Sequence, residues 1–211
     1  MYSFLSAIAA SALVFGAISV PWKSGYAFLP AIVVFCATYF LLARRHSKAV
    51  EALMLKMQGE LQQNRAENAI RVLQTGYAHA RWVFLLRGQL DGQIGSVHFM
   101  LKEFDQAQPL LEKAWVKHWI AKGMLASYWF RHHKPDKAFK VLDDAISANK
   151  KEAMLYGIKA WMKVKLKDRD GARDVLIAAV KKLPKNEILS ESLVRLQNGQ
   201  ELRMWRFGEA W

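Results

Sequence analysis

The chain has 211 residues, 53% of them hydrophobic and 12% aromatic, and a formal net charge of +13. This apolar content excludes a disordered chain, and five prolines and twelve glycines are too few for a linker or a collagen-like protein. A single cysteine excludes an internal disulfide framework and a zinc site with several cysteine ligands. Charge is segregated: residues 1–43 contain only Lys23, whereas 44–211 contain the other 30 basic and all 18 acidic residues, a net charge of +12.

Two uncharged runs, residues 2–21 and 24–43, open the chain. Each has about the twenty residues that a helix needs to cross the hydrocarbon core of a bilayer, and the residues between them suit a short turn. We therefore predict a transmembrane helical hairpin over residues 1–46. The small residues Ala12 and Gly16 lie four positions apart, which predicts a close contact between the two helices there.

The flanking charges predict the orientation of this hairpin. Arg44, Arg45 and Lys48 follow the second run, whereas the loop has only Lys23, and basic flanks favour the cytoplasmic side. We expect a bacterial inner-membrane protein with both termini in the cytoplasm and these three bases facing lipid headgroups. A cleaved signal peptide is disfavoured because no base precedes the first run, and two adjacent runs of spanning length disfavour a buried soluble hairpin.

The segment 47–198 has helical periodicity throughout and no convincing alternation of period two, which predicts an all-α domain without a sheet. Asn64 to Glu67 has the spacing of a capping box, with Asn64 as the N-cap of the next helix. Asn186 and Glu187 are expected to begin a last helix over 187–198, which Gly199 then ends. Asp168 and Asp170 are expected in a turn between helices.

A submotif, alanine then leucine four residues on and a small residue three further, occurs four times. The leading alanines are 38, 31 and 34 residues apart: Ala69, Ala107, Ala138 and Ala172. This pattern resembles the tetratricopeptide repeat (TPR) family of helix–turn–helix units, well over 66–186, most clearly over 119–152, and poorly over 47–65. Lys159 departs from it, because a large apolar residue is usual there, and the step of 38 implies an insertion around 81–87. The resemblance implies an α-solenoid of about three to four helix pairs with 187–198 as a capping helix.

The resemblance also implies a concave groove that binds protein partners. The family's groove positions fall here on Gly92, Ser96, Phe99, Gly123, Ser127, Phe130, Arg131, Gly157, Trp161 and Lys165. A floor of glycine and serine beneath phenylalanine would admit an apolar strand or helix. Alternatively, the glycines only tighten the stacking, or the chain's own tail fills the groove. The basic, aromatic tail, 199–211, either packs on the last helices and buries Trp205 and Phe207, or docks on a partner or on the membrane interface.

No catalytic motif is present, and the adjacent His132 and His133 point too far apart on a helix to share a metal. We therefore expect no enzyme, cofactor or metal site. The expected function is that of an inner-membrane scaffold or adaptor whose cytoplasmic TPR domain holds protein partners, including integral membrane subunits, beside an anionic lipid surface. The alternative is a membrane-associated RNA-binding protein that uses the basic helical surface; tethering at a membrane makes nucleic acid the less favoured partner.

Overall fold

The computed structural model describes residues 2–19, 27–83 and 85–207, and within these ranges it contains helices and turns but no strand. This confirms the all-α prediction. The chain divides into two compact units, Met1–Val97 and His98–Trp211. The domain boundary expected at residue 46 falls inside one continuous helix, because the uncharged run is followed directly by an amphipathic helical segment.

The first unit contains an antiparallel helical hairpin. Helix α1 (Tyr2–Ser19) packs against α2 (Phe28–Gln62), and α2 then packs against α3 (Ala66–Thr75). A 3-10 turn at Gly76–Ala78 follows, and α4 (Leu86–Met100) passes from this unit into the second. The turn expected between residues 21 and 25 lies outside the described residues.

In the second unit, six helices follow α4 within the described residues: α5 (Phe104–Lys113), α6 (Trp119–Arg131), α7 (Pro135–Ala148), α8 (Ala153–Lys165), α9 (Arg169–Lys182) and α10 (Glu187–Gln197). Neighbours in sequence pack together, most extensively α6 with α7 and α8 with α9. A short 3-10 helix, Met204–Phe207, returns to pack on α8.

The repeated submotif forms the core of both units. All four of its alanines and all four of its leucines are completely buried: Ala69, Ala107, Ala138, Ala172, Leu73, Leu111, Leu142 and Leu176. A methyl side chain lets a neighbouring helix come close, while the leucine one turn further fills the space beside the contact. The sequence repeat is therefore a repeat of buried positions.

Asn64 is not the N-cap of the helix that begins at Ala66, which corrects the capping box expected from the sequence. Its φ is +57°, and the N–H groups of Asn64 and Arg65 donate to the carbonyl oxygens of Leu61 and Glu60 at 3.0 and 2.9 Å. This Schellman geometry ends α2, and asparagine tolerates the left-handed backbone that it needs. The same pair of hydrogen bonds recurs at Lys102, His133, Lys167 and Gly199.

The helix start expected at Asn186 is confirmed, whereas the turn expected at Asp168 and Asp170 is shorter than predicted: Asp168 is the N-cap of α9 and Asp170 lies in its first turn. The Asp168 carboxylate accepts a hydrogen bond from the Gly171 N–H at 2.9 Å, and the Asn186 side chain accepts one from the Leu189 N–H at 3.0 Å. Each satisfies a backbone donor that has no partner within its helix. Gly199, with a φ of +75°, ends α10 as expected.

The left-handed positions predict stability changes of opposite sign. Gly199→Ala should lower the free energy of unfolding by about 1 kcal/mol, because a Cβ is disfavoured in this backbone region although the surrounding space is open. Lys167→Gly should raise it by about 0.5 kcal/mol, since relief of the left-handed strain exceeds the entropy cost of glycine.

Denaturant unfolding of the full-length protein in detergent measures both changes. Lys140→Gly, in the middle of α7, is the matched control and should lower stability by about 1 kcal/mol. Equal losses for the two lysine substitutions would contradict the interpretation.

Candidate functional site

An apolar cavity of about 510 Å³ opens within the second unit. Five aromatic and four methionine side chains dominate its wall, and none of the described residues that line it is acidic. The lining residues are Phe99, Met100, Lys102, Phe104, Trp119, Ile120, Gly123, Met124, Ser127, Phe130, Arg131, Met154, Ile158, Trp161 and Met162. Six of the ten predicted groove residues are among them: Phe99, Gly123, Ser127, Phe130, Arg131 and Trp161.

Helix α6 supplies the floor of the apolar cavity through Gly123 and Ser127. The Ser127 hydroxyl donates to the Gly123 carbonyl oxygen at 3.0 Å, so its hydrogen-bonding capacity is used within the helix and the floor stays apolar. A Cβ on Gly123 would stand 3.1 Å from the Cδ1 of Ile158. Glycine at this position therefore lets the Ile158 side chain of α8 close the cavity from the other side.

Two partly buried bases fix α6 in place. The His118 ring accepts a hydrogen bond from the Ala121 N–H at 3.2 Å and so caps the start of the helix, and burial lowers the pKa of this imidazole, which favours its neutral form. Lys122 donates to the carbonyl oxygens of Leu111 and Glu112, both at 3.0 Å, which satisfies the end of α5. Burial lowers the pKa of Lys122, while Glu112 and Asp144 oppose that change.

Cations lie on the aromatic wall of the apolar cavity. The Arg131 guanidinium is 5.4 Å from the centre of the Phe104 ring, and the Lys165 ammonium is 5.6 Å from the Trp161 ring. Both side chains belong to exposed residues, as does Lys102. Such contacts hold the alkyl stems against the rings and leave the charges in water. The result is an apolar interior with a positively charged rim.

The tail covers the predicted groove position at Gly157. A Cβ on Gly157 would lie 2.8 Å from the Cζ atom of Phe207, so the ring occupies the space that a side chain would need. Arg206 holds the tail to α10 through a 3.0 Å ion pair with Glu191. The prediction that the tail buries both aromatic residues is wrong for Trp205, which is 63% exposed, because Met204 and Phe207 are the residues of the short helix that pack against the core clusters beside α8.

Gly92 and Ser96 do not line the apolar cavity. They belong to the first unit, where Ser96 is 5% exposed and its hydroxyl donates to the Gly92 carbonyl oxygen at 2.7 Å. This is the same hydrogen bond that Ser127 makes to Gly123. A hydroxyl engaged in this way and buried presents no group to a ligand.

The methionines of the cavity wall were missed by sequence reasoning, because only the family's groove positions were considered. Met154, Ile158 and Met162 form a stripe with a spacing of four residues on α8, which was visible in the sequence. Unbranched thioether side chains are flexible, so this part of the cavity wall can change its shape.

The close helix contact that was predicted at Ala12 and Gly16 is not formed at Gly16. Among the described residues, a methyl group on Gly16 would meet no heavy atom of a neighbouring helix within 4 Å, and Ala12 and Gly16 line an open gap together with Phe15 and Phe28. The large aromatic side chains keep the helices apart there, since the Phe15 and Phe28 rings are 5.6 Å apart in an edge-to-face arrangement.

Helices α1 and α2 are long and apolar enough to cross a membrane. Their apolar side chains point away from the protein: Leu13 is 76% and Leu29 is 75% exposed. After the uncharged run, Arg44, Arg45 and Lys48 are also exposed. A buried core helix would have covered its leucines, so this exposed apolar surface favours a lipid environment.

A scan against protein-family models gives no match to this chain, and a search of curated proteins finds no similar sequence. Within the described ranges, no three His, Cys, Asp or Glu residues lie close enough to hold a metal ion. The geometry of the apolar cavity and of the hairpin therefore provides the basis for a functional assignment.

The contact between Gly157 and Phe207 can be tested by a double-mutant cycle. Gly157→Ala should displace the ring and lower the free energy of unfolding by about 1–3 kcal/mol, as overpacked sites do. In a Phe207→Ala background the same change should cost much less, because the obstructing ring is gone.

Thermal unfolding of the four full-length proteins in detergent provides the coupling energy. Gly123→Ala is the control: its nearest neighbour is the flexible end of Ile158, so its effect should be independent of Phe207. Additive effects of Gly157→Ala and Phe207→Ala would show that the ring does not occupy this position.

Proposed function

We propose that the protein is a non-enzymatic membrane scaffold whose second unit binds protein partners through the apolar cavity. The observation that carries this proposal is the cavity itself, with its wall of aromatic and methionine side chains and its basic rim. A site built in this way offers no chemistry for a reaction but fits an apolar face of another chain. Binding there would hold the partner beside the membrane.

The proposed anchor is the hairpin of α1 and α2, inserted in a bacterial inner membrane with both termini in the cytoplasm. Support comes from the exposed apolar side chains of both helices and from the basic residues that follow the uncharged part of α2. The gap beside Ala12 and Gly16 is also apolar, and an integral membrane partner could fill it.

The proposed architecture of the remaining chain is a TPR-like solenoid of three to four helix pairs with α10 as its cap. Left-handed residues end every second helix, α2, α4, α6 and α8, and these residues, from Asn64 to Lys167, are 38, 31 and 34 residues apart. These steps equal those between the buried alanines of the submotif, so the helix ends and the core contacts repeat together along the chain. A shared period is what stacked repeat units require.

The rim defines the partner chemistry. Lys102 and Arg131 line the opening, and Lys165 lies on Trp161 beside it. An apolar helix or strand flanked by Asp or Glu would bury its apolar face in the apolar cavity and place its carboxylates near these bases. The methionines allow the wall to adapt to more than one such segment.

Partner binding predicts different effects for two isoleucines of similar exposure. Ile120 lines the apolar cavity and is 40% exposed, whereas Ile177 on α9 is 45% exposed and does not line it. Ile120→Glu should reduce partner recovery at least tenfold, because it places a charge in the apolar contact and repels acidic flanks, and Ile177→Glu should not.

The measurement is photocrosslinking in intact membranes, with the reactive residue at position 120 or 177, followed by identification of the crosslinked proteins. Proteins crosslinked at 120 and absent at 177 support the scaffold. Equal crosslinking at both positions would contradict the scaffold. Recovery of RNA with the full-length chain, lost steeply as the salt concentration rises, would also contradict the scaffold and would favour a nucleic-acid-binding protein.

The proposed topology predicts the activity of reporter fusions. A reporter that works only in the cytoplasm should be active after Trp211, and one that works only in the periplasm should be active when inserted beside Lys23. The opposite pattern would place the second unit outside the cytoplasm and contradict the orientation.

A further inference from the structure

A second cavity lies in the first unit, where α2 leaves its uncharged segment, and we call it the junction cavity. It has a volume of about 350 Å³ and is lined by Leu42, Arg45, His46, Ala49, His79 and Trp82. No acidic side chain is among these residues. The junction cavity is separate from the apolar cavity of the second unit, and the scaffold function does not use it.

Two imidazole rings meet at the junction cavity. The Nδ1 atoms of His46 and His79 are 3.1 Å apart, so at most one proton lies between them. The His46 ring stacks on Trp82, with 4.9 Å between centroids and an angle of 14° between planes. Arg45 adds a permanent positive charge. This arrangement gathers three basic side chains in one place, and no carboxylate is among the described residues of the lining.

The segment that carries His79 and Trp82 is fixed to the start of α1. The Tyr2 N–H donates to the Arg81 carbonyl oxygen at 2.9 Å, and the Ser3 hydroxyl donates to the Trp82 carbonyl oxygen at 2.6 Å. The Tyr2 ring also packs edge-on against Trp82, with centroids 5.5 Å apart. The junction cavity is thus a built site, held by both helices of the hairpin.

In an inserted hairpin, the junction cavity would lie at the boundary between the hydrocarbon core and the lipid headgroups. It begins at Leu42, beside Ala43, the last residue of the uncharged run. Tyr2 and Trp82 are the aromatic types that concentrate at the boundary between hydrocarbon and headgroups. The apolar wall of Leu42 and Ala49 faces the same space as the three bases, which suits a ligand that is both apolar and anionic.

We propose that the junction cavity binds the phosphate of an anionic phospholipid headgroup. This inference rests on the proposed membrane anchoring and adds a specific lipid site to it. The Arg45 guanidinium is the bidentate donor to the phosphate oxygens, the imidazole N–H groups of His46 and His79 complete the set, and the acyl chains extend along the apolar surface of α2. Free inorganic phosphate shares the headgroup chemistry but lacks the acyl chains.

A specific lipid-binding site and a general attraction of the protein to anionic lipid predict different effects for the substitution of a single basic residue. General attraction depends on the charge near the bilayer, about 1 kcal/mol for each base, and treats neighbouring bases alike. Arg44 and Arg45 are adjacent, exposed and equally charged, but only Arg45 lines the junction cavity. They form a matched pair for the test.

The experiment measures phosphatidylglycerol bound to the full-length protein in mixed micelles of phosphatidylcholine and phosphatidylglycerol, by native mass spectrometry. Arg45→Gln and His79→Gln should each lower the retention of phosphatidylglycerol about tenfold, which is the loss of one good contact to the headgroup. Arg44→Gln should leave it within about twofold. Arg45→Lys, which keeps the charge and loses the bidentate geometry, should give an intermediate loss.

Equal losses for Arg44→Gln and Arg45→Gln, or no preference for phosphatidylglycerol over phosphatidylcholine, would overturn the proposal. Inorganic phosphate at high concentration should not displace the lipid; complete displacement would overturn the lipid as the occupant.

Carbonate extraction of membranes tests the anchoring separately. A chain that resists extraction but shows no Arg45 dependence refutes only the lipid site, and a chain that is extracted refutes the anchor. Unchanged thermal unfolding of each variant confirms that the fold is intact.

Discussion

Neighbouring helices pack at short distances because the side chains between them are small. Fully buried alanines lie at equivalent points of α3, α5, α7 and α9, each followed one turn later by a buried leucine. Because a larger side chain at an alanine position would separate two helices, these contacts fix where the neighbouring helices lie. The positions of Gly123 and Ser127 at the floor of the apolar cavity depend on this spacing.

The left-handed helix ends are the second part of the same constraint. At four of these ends, from Asn64 to Lys167, the chain reverses direction within a few residues and enters the next helix, which carries a buried alanine. The Schellman hydrogen bonds satisfy carbonyl groups at the end of the preceding helix. Asparagine, lysine and histidine fill these positions as well as glycine. The left-handed backbone is strained for the residues other than glycine, so the packing of the following helix, which depends on the length of the turn, compensates for this strain.

Much of the fold follows from the sequence, because apolar spacing and small residues record burial directly. The four alanines and the stop at Gly199 were predictable in this way. Asn64 was not, since asparagine is equally suited to an N-cap and to a left-handed C-terminal position, and only the hydrogen-bond partners decide between them. The choice of Phe207 over Trp205 depended on the direction of one 3-10 turn, which no periodic pattern records.

Six of the fifteen residues that line the apolar cavity could be anticipated because they occupy repeated positions, and the rest depended on contacts between helices. Lys159 is the residue at which the sequence departs from the TPR pattern that it resembles. Its side chain is only 17% exposed, and its ammonium pairs with Asp143 on α7. Long basic side chains lie against aromatic rings at Arg131 and Lys165. High hydrophobicity and high positive charge therefore coexist in the second unit, because the alkyl stems of the basic side chains cover apolar surface while their charged groups reach water or a carboxylate.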